Sequence, residues 1–352
     1  MSTDQRVHKV ALTLQELGYD VLLVGRKFKS SSPLERNYAT KRFSLLFNKG
    51  FLFYANYNIR LFCYLLFRRF HLVWSVDLDT LWSGYAYSRI RKTQLVYDSH
   101  ELFTEVPELT NRPFVKRFWT RIENRIFPKL KMVVTVSEPI ATYYSNKYSV
   151  PVHVLRNLPL KKEVTHSLNL ENKTILYQGA VNMNRGVEEL VLAMQHINNA
   201  TLMIVGNGDV FPLVQELVIQ HKLTNKIQLL GQVPFEKLDE LTKRATIGVS
   251  LEKGDAMSYH YALPNKLFDY IKNGIPVLAS ELPEITKLIK HYDIGQAIKT
   301  ISPEEIALII KKLLSDDQLL LHYSDNCKKA HLELNWENEK KVIYATLNPG
   351  SQ

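Results

Sequence analysis

The chain has 352 residues, 45% of them hydrophobic and 23% charged, with a formal net charge of +10. That length carries two domains of ordinary size with full cores, and the composition excludes a largely disordered chain. The two cysteines, Cys63 and Cys327, stand far apart, which excludes a disulfide framework and a cysteine zinc site and fits a reducing cytoplasm.

The opening MSTDQRVHKV lacks the apolar centre of a signal peptide, and no run of eighteen or more apolar residues free of charge occurs, so no spanning helix is expected. Residues 1–160 hold 24 Lys and Arg against 12 Asp and Glu; the remainder holds 21 against 23. The positive excess therefore belongs to the first half. There it is interleaved with aromatics in KRFSLLFNKGFLFYANYNIRLFCYLLFRRF, residues 41–70. Such a stretch suits an anionic partner, either nucleic acid or an anionic membrane surface. No recognition-helix, zinc-finger or RNA-binding signature supports nucleic acid. A core helix with its charges in water stays open as the third reading.

In chain order, VHKVALTLQEL (7–17) has helical spacing and ends at Gly18, and VLLVG (21–25) reads as a buried strand. Further strands are expected at 72–76, 94–97, 132–136 and 152–155, with helices over 112–127 and 138–147 between them. After a polar linker, LKKEVTHSLNLENK (160–173), the alternation restarts. It runs through ILYQGAV, a helix over 186–197, TLMIVG, a helix over 210–222, IQLLG, a helix over 234–244, TIGVSL and the segment 261–280. Apolar strands alternating with helices predict parallel sheets covered on both faces, hence two βαβ domains with a cleft at the carboxyl ends of their strands. The first domain opens on a helix where a doubly wound unit opens on a strand. Either a leading strand is missing from the start, which is the favoured reading, or the sheet is built without one.

YALPNKLFDYIKNGIPVLAS (261–280) packs a helix start, a helix, a glycine stop and a strand into one segment. Pro264 suits the first turn, where its missing N–H has no partner, Gly274 suits the C-cap, and 275–279 reads as a buried strand. Free amides at a helix start beside Lys266 make a natural phosphate site; the alternative is an ordinary helix–strand unit of a parallel sheet.

YDSHELF (97–103), VTVSEPIATYY (134–144), RNLP (156–159), LYQGAVNMNRG (176–186), IVGNGD (204–209) and PNKLFDYIKNGIPVLAS occur in one order along the chain. Together they resemble the GT-B glycosyltransferases, most of all those of family 4. The resemblance implies an α/β GT-B fold of two Rossmann-like, doubly wound domains facing a central cleft. Its domain plan is an acceptor-side domain over 1–159, a linker over 160–173, a nucleotide-sugar domain over 174–330, and a C-terminal segment 331–352 that packs back on the first domain.

It also implies transfer of a sugar from a nucleotide diphosphate sugar to a glycan or lipid-linked acceptor, with retention of configuration and with no metal or other cofactor. The setting would be polysaccharide or glycolipid synthesis at the inner face of a membrane. His100, Arg185 and Lys266 take the catalytic positions, the two cations clamping the diphosphate. Gly179, Gly186, Gly206, Asn265 and Asp269 take the donor side. Asp98, Glu101 and Tyr261 are assigned to the acceptor or sugar side, with Asp98 and Glu101 expected to orient His100. Glu138 reads as a helix-start residue.

Departures from the family pattern stand at three positions. The family has two glutamates with seven residues between them around this helix start; here the places fall on Tyr261 and Asp269. An arginine usual after the first glycine of the second domain is Ala180. Glu252, Asp255 and His260 lie close enough in sequence to stand in for the lost glutamate. The departures keep open a GT-B-like protein that binds a nucleotide or partner without chemistry. The pair Asp77 and Asp79 is expected to line the cleft from a loop rather than hold a metal.

Overall fold

The computed structural model describes residues 4–28, 31, 33–110, 112–164 and 166–347. Two compact units make up the chain: residues up to Asn157 with those from Glu339 onward form one, and Leu158–Asn338 form the other.

In the first unit, helix Gln5–Glu16 is capped by Asp4, whose carboxylate accepts from the Val7 N–H at 3.0 Å, satisfying one of the donors a helix start leaves open. Strand β1 (Leu22–Lys27) pairs in parallel with β2 (Ala39–Ser44) in a two-stranded sheet. Strands β3 (Leu72–Val76), β4 (Gln94–Ser99), β5 (Met132–Thr135) and β6 (Val152–Val154) form a parallel sheet in that order. Among the described residues no strand precedes helix Gln5–Glu16, so β1 and β3 each have one strand neighbour. Most of their residues are half-buried, whereas β4, flanked on both sides, is buried from Leu95 to Ser99.

The basic aromatic stretch 41–70 divides between β2 and helix Gly50–Leu66. Strand β2, ATKRFS, carries no apolar run that would signal a strand; pairing with β1 imposes it. On the helix, Tyr57, Leu61 and Leu65 cluster with Tyr87 of helix Leu78–Arg91, so the core-helix reading accounts for that face. Phe51, Leu52 and Ile59 remain exposed. Behind β4, Tyr97 meets Phe127 edge-on, and Phe127 stacks on Tyr144 and Tyr148 with centroids 4.5 Å apart in both pairs.

The second unit is a six-stranded parallel sheet of β7 (Thr174–Gln178), β8 (Thr201–Val205), β9 (Ile227–Gly231), β10 (Ile247–Ser250), β11 (Val277–Ser280) and β12 (Gly295–Ile298). Their spatial order is β12-β11-β10-β7-β8-β9. Successive strands walk outward from β7 on one side and then from β10 on the other, so the order reverses between these two neighbours. That reversal is the switch point at which open α/β sheets place their ligand crevice. A single core runs from Leu158 to Leu334.

The return to the first unit comes at Glu339, later than the expected 331. Helix Asp317–Glu333 stays with the second unit, where Cys327 is buried and the Ser324 hydroxyl donates to the Gly274 carbonyl at 2.6 Å. From Glu339 the chain is clamped: its carboxylate accepts from the Arg156 backbone N–H at 2.6 Å and from the guanidinium at 2.8 Å. Lys340 reaches Glu16 at 2.6 Å, and helix Lys341–Leu347 packs on β5 and β6. We expect Glu339→Ala to destabilise the first unit by about 2 kcal/mol, since it removes charge-assisted bonds to the Arg156 amide and guanidinium. A denaturant titration checks this, and an unchanged midpoint would remove the clamp from the account.

Candidate functional site

In the second unit the site is built at the carboxyl ends of β7 and β10, which lie side by side through Ile175, Leu176 and Tyr177 against Ile247, Gly248 and Val249. Glu252 follows β10 and is fully buried. The Ser250 hydroxyl donates to its Oε2 at 2.6 Å. The other oxygen, Oε1, faces two cations: Lys266 Nζ at 3.0 Å and Arg185 Nη1 at 3.2 Å. Each cation also rests on an aromatic face. Lys266 Nζ stands 4.0 Å from the centre of the Tyr177 ring, and the Arg185 guanidinium 4.4 Å from that of Tyr259, contacts that stabilise a cation short of water. Burial disfavours the Glu252 carboxylate, but Lys266 and then Arg185 outweigh it and hold the carboxyl below its usual range.

Local backbone puts these groups where they are. Pro264 is extended and precedes helix Asn265–Lys272, so Lys266 lies in the first turn. Arg185 is held from the other side, where the Asn184 carbonyl accepts from the Lys253 N–H at 2.9 Å. Gly186 sits at φ +65°, where a Cβ would come within 2.5 Å of the Leu251 carbonyl oxygen; a Cβ on Gly206 would lie 1.7 Å from the Gly179 oxygen. Only glycine lets these loops approach so closely. Gly179 in turn borders the Lys266 side chain. Arg185 Nε is buried and makes no aligned hydrogen bond among the described residues, and Lys266 Nζ, also buried, makes no aligned bond beside its ion pair with Glu252. Two cations, one carboxylate and free N–H groups at a switch point make a site for an oxyanion with more than one charge.

In the first unit, His100 follows β4. Its backbone N–H donates to Asp77 Oδ1 at 2.9 Å, and its ring lies 3.8 Å from Asp77 Oδ2 and 3.4 Å from Asp98 Oδ2. Asp98 is fully buried, held by Arg6 at 2.5 Å and by the Trp74 indole N–H at 3.1 Å. Burial works against its charge, but Arg6 and then His100 prevail and keep the carboxyl well below the usual carboxylate range. Burial alone would lower His100; the Asp98 and Asp77 carboxylates outweigh it and lift the imidazole to about 9. At neutral pH the ring is thus an imidazolium, a hydrogen-bond donor on both nitrogens and not a base. Asp79, beside this group, is pushed up to about 7 by burial and by Asp77.

Residues 161–330 match the family described as Glycosyl transferases group 1, and residues 4–158 match Glycosyltransferase Family 4. Sucrose-phosphate synthase from Thermosynechococcus elongatus superposes on 98% of this chain and 93% of its own with a TM-score of 0.78 at 18% identity. The chain belongs to the GT-B glycosyltransferases. Anabaena HepE, solved in complex with UDP and glucose, superposes on 99% of this GT-B chain and 97% of its own, with a TM-score of 0.76 at 15% identity. An uncharacterized glycosyltransferase of Methanocaldococcus jannaschii is 28% identical over 175 residues, which take in 49% of this chain and 43% of that relative's length.

Within this GT-B chain the structure regroups the residues that the sequence singled out. Arg185, Lys266, Gly179 and Gly186 converge on Glu252, so of the three candidates to replace the lost glutamate it is Glu252 that touches both cations, while Asp255 is exposed. Asn265 is exposed as the first helical residue. The carboxylate of Asp269 accepts from Gln178 Nε2 at 3.0 Å, and Gln178 in turn accepts from Thr242 at 2.8 Å. Tyr261 lies edge-on to His260. Glu138 opens helix Glu138–Tyr148.

The surroundings of His100 differ from those expected. Asp98 cannot line a sugar subsite, because Arg6, Trp74 and His100 enclose it completely. Beside Asp98, Asp77 is a partner that the sequence did not assign to His100, and the Glu101 backbone carbonyl accepts from the Ser99 hydroxyl. Asp77 therefore orients a histidine. Sequence reasoning missed Arg6, Trp74, Ser250, Tyr177 and Tyr259; single residues on ordinary strands and helices give no periodic signal.

The charge pattern sets two expectations. An NMR titration of His100 should show a midpoint near 9 that falls in Asp77→Asn; a wild-type midpoint at or below the ordinary value of about 6.5 would sink the imidazolium assignment. Because its pKa is raised, its contribution to stability is complete below that ordinary value and is lost as pH climbs through about 9. Asp98 behaves oppositely: its contribution is present above about pH 4 and is lost on acidification. Asp98→Asn should therefore cost about 3–5 kcal/mol at pH 7 by stranding Arg6. The gap from wild type should narrow as pH drops below 4, which unfolding titrations at several pH values will read.

Proposed function

We propose that the protein transfers a hexose-type sugar from a nucleoside diphosphate sugar to a glycan or lipid-linked acceptor, with retention of configuration. The carrying observation is the cation pair on Glu252 at the β7–β10 switch point, with Arg185 Nε buried and free of an aligned hydrogen bond among the described residues. As the bond to the anomeric carbon breaks, negative charge grows on the departing diphosphate. Fixed, partly desolvated cations already in place stabilise that charge without reorganising. UDP and glucose in HepE support a donor of this class. His100 as an imidazolium donates to a sugar hydroxyl and does not take a proton from the acceptor. The second reading, a nucleotide-binding member without chemistry, draws on Tyr261 standing where the family has a glutamate.

Helix Pro113–Ile126 gives the acceptor reading a surface. Phe114 is 80% and Phe118 40% exposed, beside Phe51 at 64%, and the Phe51 and Phe118 rings meet edge-on at 5.5 Å. Arg112, Arg117, Arg121 and Arg125 are exposed along the same segment. An aromatic edge ringed by arginines suits the headgroup region of an anionic bilayer, at the inner face of the cytoplasmic membrane. The basic aromatic stretch 41–70 thus reaches this helix through Phe51. No helix among the described residues is long and apolar enough to cross a membrane.

In an assay with a panel of nucleoside diphosphate sugars, Arg185→Ala and Lys266→Ala should each lower kcat/KM by about 100-fold or more. Unchanged turnover would remove them from the site, and nucleotide binding without any turnover in the wild type would favour the second reading. In vesicle sedimentation, Phe114→Ser with Phe51→Ser should weaken binding to anionic vesicles, and salt should weaken it further. Equal affinity for neutral and anionic vesicles would discard the electrostatic part.

A further inference from the structure

Glu252 plays no part in the transfer just described except to sit between its two cations. It is fully buried, one oxygen is tied by Ser250 close by on the same strand end, and the other is shared by Lys266 and Arg185. Sharing one oxygen fixes the two cations side by side, since each must stay within about an ion-pair distance of the same point. Left alone in a water-poor pocket, two such charges would repel one another and draw in whatever anion is at hand.

We infer that Glu252 is a positioning and selectivity residue: it holds Arg185 and Lys266 paired in the donor-free protein and keeps single inorganic anions off them, yielding to a ligand that bridges both cations with two linked phosphates. The inference rests on the donor reading above and deepens it. Its geometry is that of a place-holder. Oε1 stands where a bridging phosphate oxygen would have to meet both cations, while Tyr177 and Tyr259 support each cation from its other side. Arg185 Nε is buried and makes no aligned hydrogen bond among the described residues, so an entering diphosphate finds one donor that need not first leave a partner, while it takes Lys266 over from Glu252. A lone phosphate meets only one net positive charge there, since the carboxylate cancels one of the two. A diphosphate, fixed at two points, competes for both cations at once.

The test uses the full chain with inorganic phosphate and pyrophosphate as probes, followed by isothermal titration and by the shift in melting temperature that ligand binding gives. Wild type should prefer pyrophosphate over phosphate by about tenfold or more. Glu252→Gln keeps the shape and removes the charge; it should bind phosphate about tenfold more tightly and lose most of that preference. Glu252→Asp, which keeps the charge, should restore the preference, a rescue that a purely structural role would not give. A folded Glu252→Gln protein whose phosphate affinity is unchanged or weaker overturns the inference. Should that variant not fold, the wild type decides: phosphate bound as tightly as pyrophosphate overturns the inference equally. Failure of the donor reading looks different: UDP binding to the wild type would then be indifferent to Arg185→Ala and Lys266→Ala.

Discussion

A single carboxylate oxygen organises the second unit's site. Glu252 Oε1 meets Lys266 and Arg185 at 3.0 and 3.2 Å, and these residues come from three separate stretches of chain. Their meeting depends on the sheet order, which sets β10 beside β7 although two strands and the helices between them intervene in sequence. Parallel pairing aims both strand ends the same way, so the loops after β7 and β10 open onto one place. The close approach of these loops at Gly186, and of the β8 loop to Gly179 at Gly206, then leaves no room for another residue type.

The first unit repeats the motif with the signs exchanged. There two carboxylates, Asp77 and Asp98, surround one imidazole, and Arg6 balances the buried Asp98. Both clusters sit at strand ends, and both use buried opposite charges to fix a protonation state: an imidazolium at His100 and an ionised carboxylate at Glu252. In each, the cost of desolvation is met by partners fixed in the fold, and removing one partner strands the other. The price of such clusters is stability given up for a poised charge, which is tolerable where the charge has work to do on a ligand.

Much of the fold was legible in the chain. Apolar runs such as QLVY, MVVTV, ILYQ and TLMIV coincide with β4, β5, β7 and β8 because strands buried on both faces need uninterrupted apolar residues. Strand β2 was not legible, since its ATKRFS sequence is polar and only pairing with β1 makes it a strand. Arg185 and Lys266 were legible as candidates through motif order. Their shared counter-ion was visible only as one of three nearby polar residues. Asp98 was misplaced because a carboxylate in a strand-end loop looks the same in sequence whether it faces a ligand or a buried arginine 92 residues away.

The sequence by itself determined the alternation of strands and helices and the basic first half, because these follow from local composition and spacing. The tertiary structure decided which charges face one another: Glu252 with Lys266 and Arg185, and Asp77 and Asp98 with His100 and Arg6. Such pairings join segments far apart in the chain, and electrostatic energy depends on distance in space and on exclusion of water, neither of which spacing along the sequence records.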